Sequence, residues 1–174
     1  RLVEQFDQMS SQLKHVKPKE IQDIKQRLKE EKGQGGAYYC SLPSFRDSYR
    51  LVTRMLERSG QSAYLMLCSL TDGKGHPLEK PEKLELLSEE LQNTIQHCLR
   101  KGDSFTKYSP SQYLVLLIGT NKENCGLIFD RIRKYFAREH RSWNKYVEFY
   151  VSSVAEVDNL DTPIQFRNDD SGWK

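Results

Sequence analysis

The chain has 174 residues, a formal net charge of +3, 37% hydrophobic and 29% charged residues, and a mean hydropathy of −0.74. That length suits one domain with a small appendage, and the wet composition predicts exposed helices around a modest core. Acids and bases are interspersed, which does not argue for direct nucleic-acid binding; no run approaches the roughly 18 apolar residues of a membrane span, and no signal peptide is visible.

The sequence begins at Arg1 without a methionine and reads as an excised fragment. Cys40, Cys68, Cys98 and Cys125 lie far apart, with no Cys-x-x-Cys and no histidine cluster. They read as isolated core thiols of a cytoplasmic protein, not as a disulfide framework or zinc site, and no cofactor is expected.

Residues 1–32 are expected to form two helices. Leu2, Phe6, Met9 and Leu13 share one stripe, and Ile21, Ile24 and Leu28 form a second after Pro18, which suits a first helical turn. Gly33-Gln34-Gly35-Gly36 ends the pair and marks the clearest boundary in the chain. Two stripes are too short for a coiled coil, leaving an interdomain or partner-binding pair, or one packed back on its own domain.

From residue 37 the expected order is a strand at Ala37–Ser41, a helix at Pro43–Gly60, and an apolar strand at Ser62–Leu70. A loop at Thr71–Pro81 leads to a helix at Glu82–Leu99. Strands Ser104–Tyr108 and Tyr113–Ile118 then form a β-hairpin around a four-residue connection, Ser109–Gln112. A helix at Lys122–Glu139 and a strand at Tyr146–Val154 complete the domain, 37–157, and 158–174 reads as a polar, peripheral tail. This order predicts an α/β (α+β) mixed sheet of ferredoxin-like type with flanking helices.

The hairpin resembles the signature hairpin of the GGDEF family, the diguanylate cyclases. Lys107-Tyr108 stands where the family has Arg-Tyr, and Ser109-Pro110-Ser111-Gln112-Tyr113 where it has Gly-Gly-Asp-Glu-Phe. The likeness covers roughly 37–155 and implies a nucleotide-cyclase-like sheet. The family's opening segment keeps only Leu42-Pro43 here, and Ser69-Leu70-Thr71 replaces the Asp-Leu-Asp that ends its first core strand. A closer resemblance is to bacterial regulators in which a SARP-type transcriptional activator domain precedes a degenerate cyclase-like domain. Segments similar to Arg54–Ser62, Leu99–Asp103 and Tyr108–Tyr113 occur there, and the opening helices look like the trailing end of the activator domain.

The resemblance implies two metal-binding carboxylates, at the positions of Ser69 and Ser111. Neutral hydroxyls cannot substitute for them in holding a hard dication. Thr71 removes a further carboxylate, and Pro110 removes an N–H and fixes φ where the family approaches its nucleotide through glycine. The family's guanine-contacting Asn and Asp correspond to Ser44 and Thr53. Catalysis is therefore not expected, and Ser69, Thr71, Ser109, Pro110, Ser111 and Gln112 are read as degenerate positions.

Arg100-x-x-Asp103 has the spacing of the family's inhibitory site, which implies cyclic di-GMP binding through guanidinium and carboxylate. The competing reading is structural: Arg100 at a helix C-terminus and Asp103 in a turn. Arg131, Lys134, Arg138 and Arg141 are expected on one side of the last helix, as a solvated face or an anion patch. His76 and His97 show no triad or metal spacing, and Trp143 and Trp173 read as packing residues. The leading expectation is a non-catalytic regulatory or interaction domain, whose partners are upstream domains of the same chain or a second copy. The alternatives are a cyclic di-GMP receptor and, more remotely, an active cyclase.

Overall fold

The structure, a computed structural model, describes residues 18–30, 35–155 and 164–166. In chain order its elements are helix α1 (Pro18–Leu28), strand β1 (Tyr38–Tyr39), helix α2 (Leu42–Ser59), strand β2 (Ala63–Leu70), helix α3 (Pro81–Cys98), strands β3 (Ser104–Ser109) and β4 (Gln112–Ile118), helix α4 (Lys122–Phe136), a 3-10 helix (Arg141–Tyr146), and strands β5 (Val147–Ser153) and β6 (Ile164–Phe166). The chain divides into two compact units, Arg1–Gln34 and Gly35–Lys174. In the first, α1 buries none of its side chains and leaves Ile21, Ile24 and Leu28 exposed. The expected helix at Leu2–Leu13 lies outside the described residues.

In the second unit the strands form one six-stranded sheet in the order β1-β3-β4-β2-β5-β6. Only β1·β3 is parallel; β3·β4, β4·β2, β2·β5 and β5·β6 are antiparallel. Period-two alternation sorts the side chains between the two faces. Met66, Cys68 and Leu70 of β2 join Tyr113, Val115, Leu117, Val147, Phe149 and Val151 in a core covered by Leu87, Leu91 and Ile95 of α3 and Ile128, Phe129 and Ile132 of α4. Ala63 and Leu116 face the other way, against Phe45 and Val52 of α2. This is the mixed α/β sheet with flanking helices that the element order predicts.

Local chemistry fixes the helix ends. Ser41 Oγ accepts the Ser44 N–H at 3.3 Å to cap α2, and Pro43 occupies its first turn. Gly60, left-handed at φ 66°, closes the helix through its N–H to the Leu56 carbonyl. Gly36 is likewise left-handed and lies against the Gln96 carbonyl, where a Cβ would collide.

Several elements differ from the sequence expectation. The first strand pairs over only two residues, and α4 stops at Phe136, three residues before Glu139. A 3-10 helix spans Arg141–Tyr146, taking in Arg141, expected on the last helix, and Tyr146, expected to open the last strand. Inside the segment read as tail, Ile164–Phe166 adds an edge strand on β5. The hairpin connection is two residues: Ser109 pairs with Gln112, leaving Pro110-Ser111 as the turn, and the register shifts between Lys107 and Ser109. No non-glycine residue among those described has positive φ, which rules out the mirror-image turns that suit two-residue hairpins. The irregularity at Tyr108 absorbs the mismatch.

Candidate functional site

Strand register assembles the positions singled out by the resemblance. Ser69 sits at the end of β2, opposite Gln112 of β4 on one side and Glu148 of β5 on the other. The three form a row across the sheet on the face that α2 shares. Gln112 Nε2 donates to Ser69 Oγ at 3.1 Å, and Ser109 Oγ donates to Gln112 Oε1 at 3.1 Å. Ser111 N–H donates to Ser109 Oγ at 3.3 Å, and the Ser111 carbonyl accepts the Leu70 N–H at 2.8 Å, tying turn to strand. Thr71 is buried; its N–H donates to the Tyr146 carbonyl and its hydroxyl accepts the Gly73 N–H.

The turn residues and Ser69 therefore satisfy one another as a neutral hydrogen-bonded cluster. Glu148, which sequence reasoning passed over, brings one carboxylate to the row and accepts the Tyr150 hydroxyl at 3.3 Å. Its signal was the i, i+2 alternation of β5, legible only once the register with β2 is known. A divalent cation held by two carboxylates from β2 and the turn does not fit these residues: Ser69 and Ser111 offer uncharged oxygens. Among the described residues there is no group of three or more His, Cys, Asp and Glu side chains able to hold a metal.

Ser44 and Thr53 are engaged within α2. Ser44 Oγ accepts from Ser41 Oγ at 3.0 Å, and Thr53 Oγ1 donates to the Tyr49 carbonyl at 2.9 Å.

Arg100 and Asp103 come together away from the turn. Asp103 is only 2% exposed; its Oδ1 accepts the Ile118 N–H at 3.2 Å and its Oδ2 the Arg100 N–H at 3.1 Å. Arg100 Nη2 donates to the Ile118 carbonyl at 2.9 Å and to Thr120 Oγ1 at 3.0 Å. The pair thus staples the α3–β3 turn to the end of β4.

Of the four basic residues expected on one helix face, Arg138 and Arg141 lie beyond the end of α4, and Arg131 does not join the other three. Arg131 Nη1 donates to the Cys98 carbonyl at 3.2 Å. Arg138, beyond the end of α4, pairs with Glu90 at 2.6 Å and lies 4.0 Å over the ring of Tyr135. The Glu90 hydrogen bond raises the Arg138 pKa further. Lys134 and Arg141 line a groove of about 470 Å³ with Asp130, Arg133, Arg138 and Asn144. His97 stacks on Tyr135 at 4.2 Å, and His76 lies 3.5 Å from Asp72. Asp72 is held below the usual carboxylate range by the Lys74 N–H it accepts and, after that, by His76. Trp143 packs on Phe136 and His140, as a packing residue should; Trp173 lies outside the described residues. All four cysteines are free and buried, and burial pushes each thiol up, Cys125 to about 11.

No protein-family model matches the chain, and no curated protein matches it by sequence. Solved structures do. The fold is similar to that of a DGC protein from Thermotoga maritima, with a TM-score of 0.51 and 16% identity over 69% of this chain and 82% of that one. It is also similar to diguanylate cyclase SiaD of Pseudomonas aeruginosa, solved in complex with its activator SiaC, with a TM-score of 0.54 and 16% identity over 88% of this chain. The match spans 60% of the SiaD chain. No helix among the described residues is long and apolar enough to cross a membrane. At these identities the likeness establishes architecture: the chain has a diguanylate-cyclase-like fold.

Proposed function

We propose that residues 37–157 are a non-catalytic regulatory domain: a cyclase-like sheet kept for contacts with upstream domains of its own chain or with a second copy. The setting is a bacterial signalling or transcriptional regulator of the SARP-type group, acting in the cytoplasm, with residues 1–32 as the end of the upstream helical part. The neighbours are diguanylate cyclases, so the fold alone argues for an enzyme. The side chains argue the other way. The observation that carries the reading is the pair of serines, Ser69 and Ser111, where cyclase chemistry needs carboxylates to hold the cation that neutralises a triphosphate.

A protein partner is consistent with SiaD, which was solved with an activator protein. A cyclic di-GMP receptor role for Arg100 and Asp103 gains no support, because the Asp103 carboxylate is buried and already accepts two backbone N–H groups.

The test is incubation of the chain with GTP and Mg²⁺ or Mn²⁺, followed by product analysis. No cyclic di-GMP above a protein-free control is expected, and its appearance overturns the reading. Calorimetric titration with cyclic di-GMP, repeated on Arg100→Ala, separates a silent domain from a receptor.

A further inference from the structure

The two faces of the sheet are covered by helices whose outward sides carry opposite charge. On α2 the residues facing away from Phe45 and Val52 include Arg50, Arg54 and Arg58, at successive four-residue steps, with Leu51 and Met55 beside them; the exposed Asp47 lies at the start of this face and Glu57 at its edge, leaving it net basic. Leu51 is 60% and Met55 57% exposed. On α3 the residues facing away from Leu87, Leu91 and Ile95 are Glu82, Glu85 and Glu89, around Leu86, which is 56% exposed. No basic side chain interrupts that stripe; Lys83 lies to one side, with its Nζ donating to the Tyr146 hydroxyl at 3.0 Å. Among the described residues, none of these three arginines and three glutamates makes an ion pair within 4.0 Å.

We propose that α2 of one copy docks on α3 of a second copy, setting Arg50, Arg54 and Arg58 against Glu82, Glu85 and Glu89 around a centre of Leu51, Met55 and Leu86. The stripes match in length, at two turns or a little more, and in kind, each having an apolar centre beside like charges. Within one copy they cannot meet, because α2 and α3 pack on opposite faces of the sheet. Pairing α2 with α2 or α3 with α3 would oppose like charges, which selects the unlike pairing. Such a contact is heterologous: a joined pair still has one free α2 and one free α3, one on each copy, so association runs on into a chain or closes as a ring. The proposal goes beyond the non-catalytic reading and does not depend on it.

The experiment is sedimentation of the whole chain over a range of concentration and salt, with folding of every variant verified by circular dichroism and melting temperature. Wild-type chain should form species larger than a dimer at low salt and dissociate as ionic strength rises from about 0.01 to about 1 M, where the screening length falls from about 30 to about 3 Å. Arg50→Glu with Arg54→Glu should weaken self-association by at least about tenfold, and so should Glu85→Arg with Glu89→Arg. Mixing the two double variants should restore assembly, because each then carries the charge the other lacks. Leu86→Ser should weaken it without changing its salt dependence. A wild-type chain that stays monomeric at low salt overturns the proposal, as does assembly that survives both reversals or is not restored by mixing.

Discussion

Asp103 Oδ1 accepts the backbone N–H of Ile118 at 3.2 Å, while the Ile118 carbonyl accepts Arg100 Nη2 at 2.9 Å. One residue at the end of β4 is thus held on both sides by the Arg-x-x-Asp segment. The two side chains are unequal in exposure, 61% for Arg100 and 2% for Asp103. Removing the buried acceptor orphans two backbone donors, whereas removing the guanidinium leaves the exposed Ile118 carbonyl to water and a Thr120 hydroxyl that can rotate. Asp103→Ala should therefore cost about 3 kcal/mol and Arg100→Ala about 1 kcal/mol in urea unfolding. Equal, small losses would mean that the pair is not a staple.

Restoring carboxylates should not restore a cyclase. The double variant Ser69→Asp, Ser111→Glu places two negative charges beside Glu148, but Pro110 still lacks the N–H and the conformational freedom of a turn glycine. Cyclic di-GMP production is expected to stay at background with either Mg²⁺ or Mn²⁺. Turnover in the double variant would show that the turn is no obstacle.

The two apolar runs read from the sequence as buried strands are not equally buried. Leu116 is fully enclosed against α2, and Leu116→Ala should cost about 2–5 kcal/mol. Leu67 lies half-exposed, two residues before Ser69, and Leu67→Ala should cost only about 1–2 kcal/mol. Equal costs would mean that the face around Ser69 is covered.

Much of the sheet was legible because β2 and β4 are unbroken apolar runs, and α2, α3 and α4 carry clean stripes bounded by Pro43, Pro81 and Gly60. The misreadings fall where short-range signals are weak. The strand expected at Ala37–Ser41 shrinks to the two residues that pair with β3, and Ile164–Phe166 becomes a strand only by pairing with β5, which no local period announces. The basic run to Arg141 kept a helical rhythm beyond Phe136, yet Arg138 is drawn to Glu90 and Tyr135. At the candidate site the uncharged residues Ser69 and Ser111 were plain in the sequence. Glu148 was not, since its place beside Ser69 is a matter of register between strands nearly eighty residues apart.

The thiols give a chemical test of the core. Burial raises the pKa of Cys40, Cys68, Cys98 and Cys125, so the reactive thiolate is scarce near neutral pH as well as shielded. Native chain should react with a thiol reagent at pH 7 far more slowly than unfolded chain, in which all four should titrate promptly. Fast modification of Cys68 or Cys125 in native chain would contradict the packing of α3 and α4 on the sheet.

The strand order also dictates when the chain can fold as it emerges from the ribosome. β2 finds its hydrogen-bonding neighbours only in β4 and β5, and β1 only in β3, so no two strands before Ser104 can pair with each other. The first sheet contacts open to the nascent polypeptide are β1 with β3 and then the β3–β4 hairpin, and β2 gains a partner only once β4 is out. A fragment ending before the hairpin, with α2, β2 and α3 intact, should show helical content without sheet. Its uncovered strand residues, Ala63–Leu70, are the segment most in need of a chaperone until Ile118 has cleared the exit tunnel.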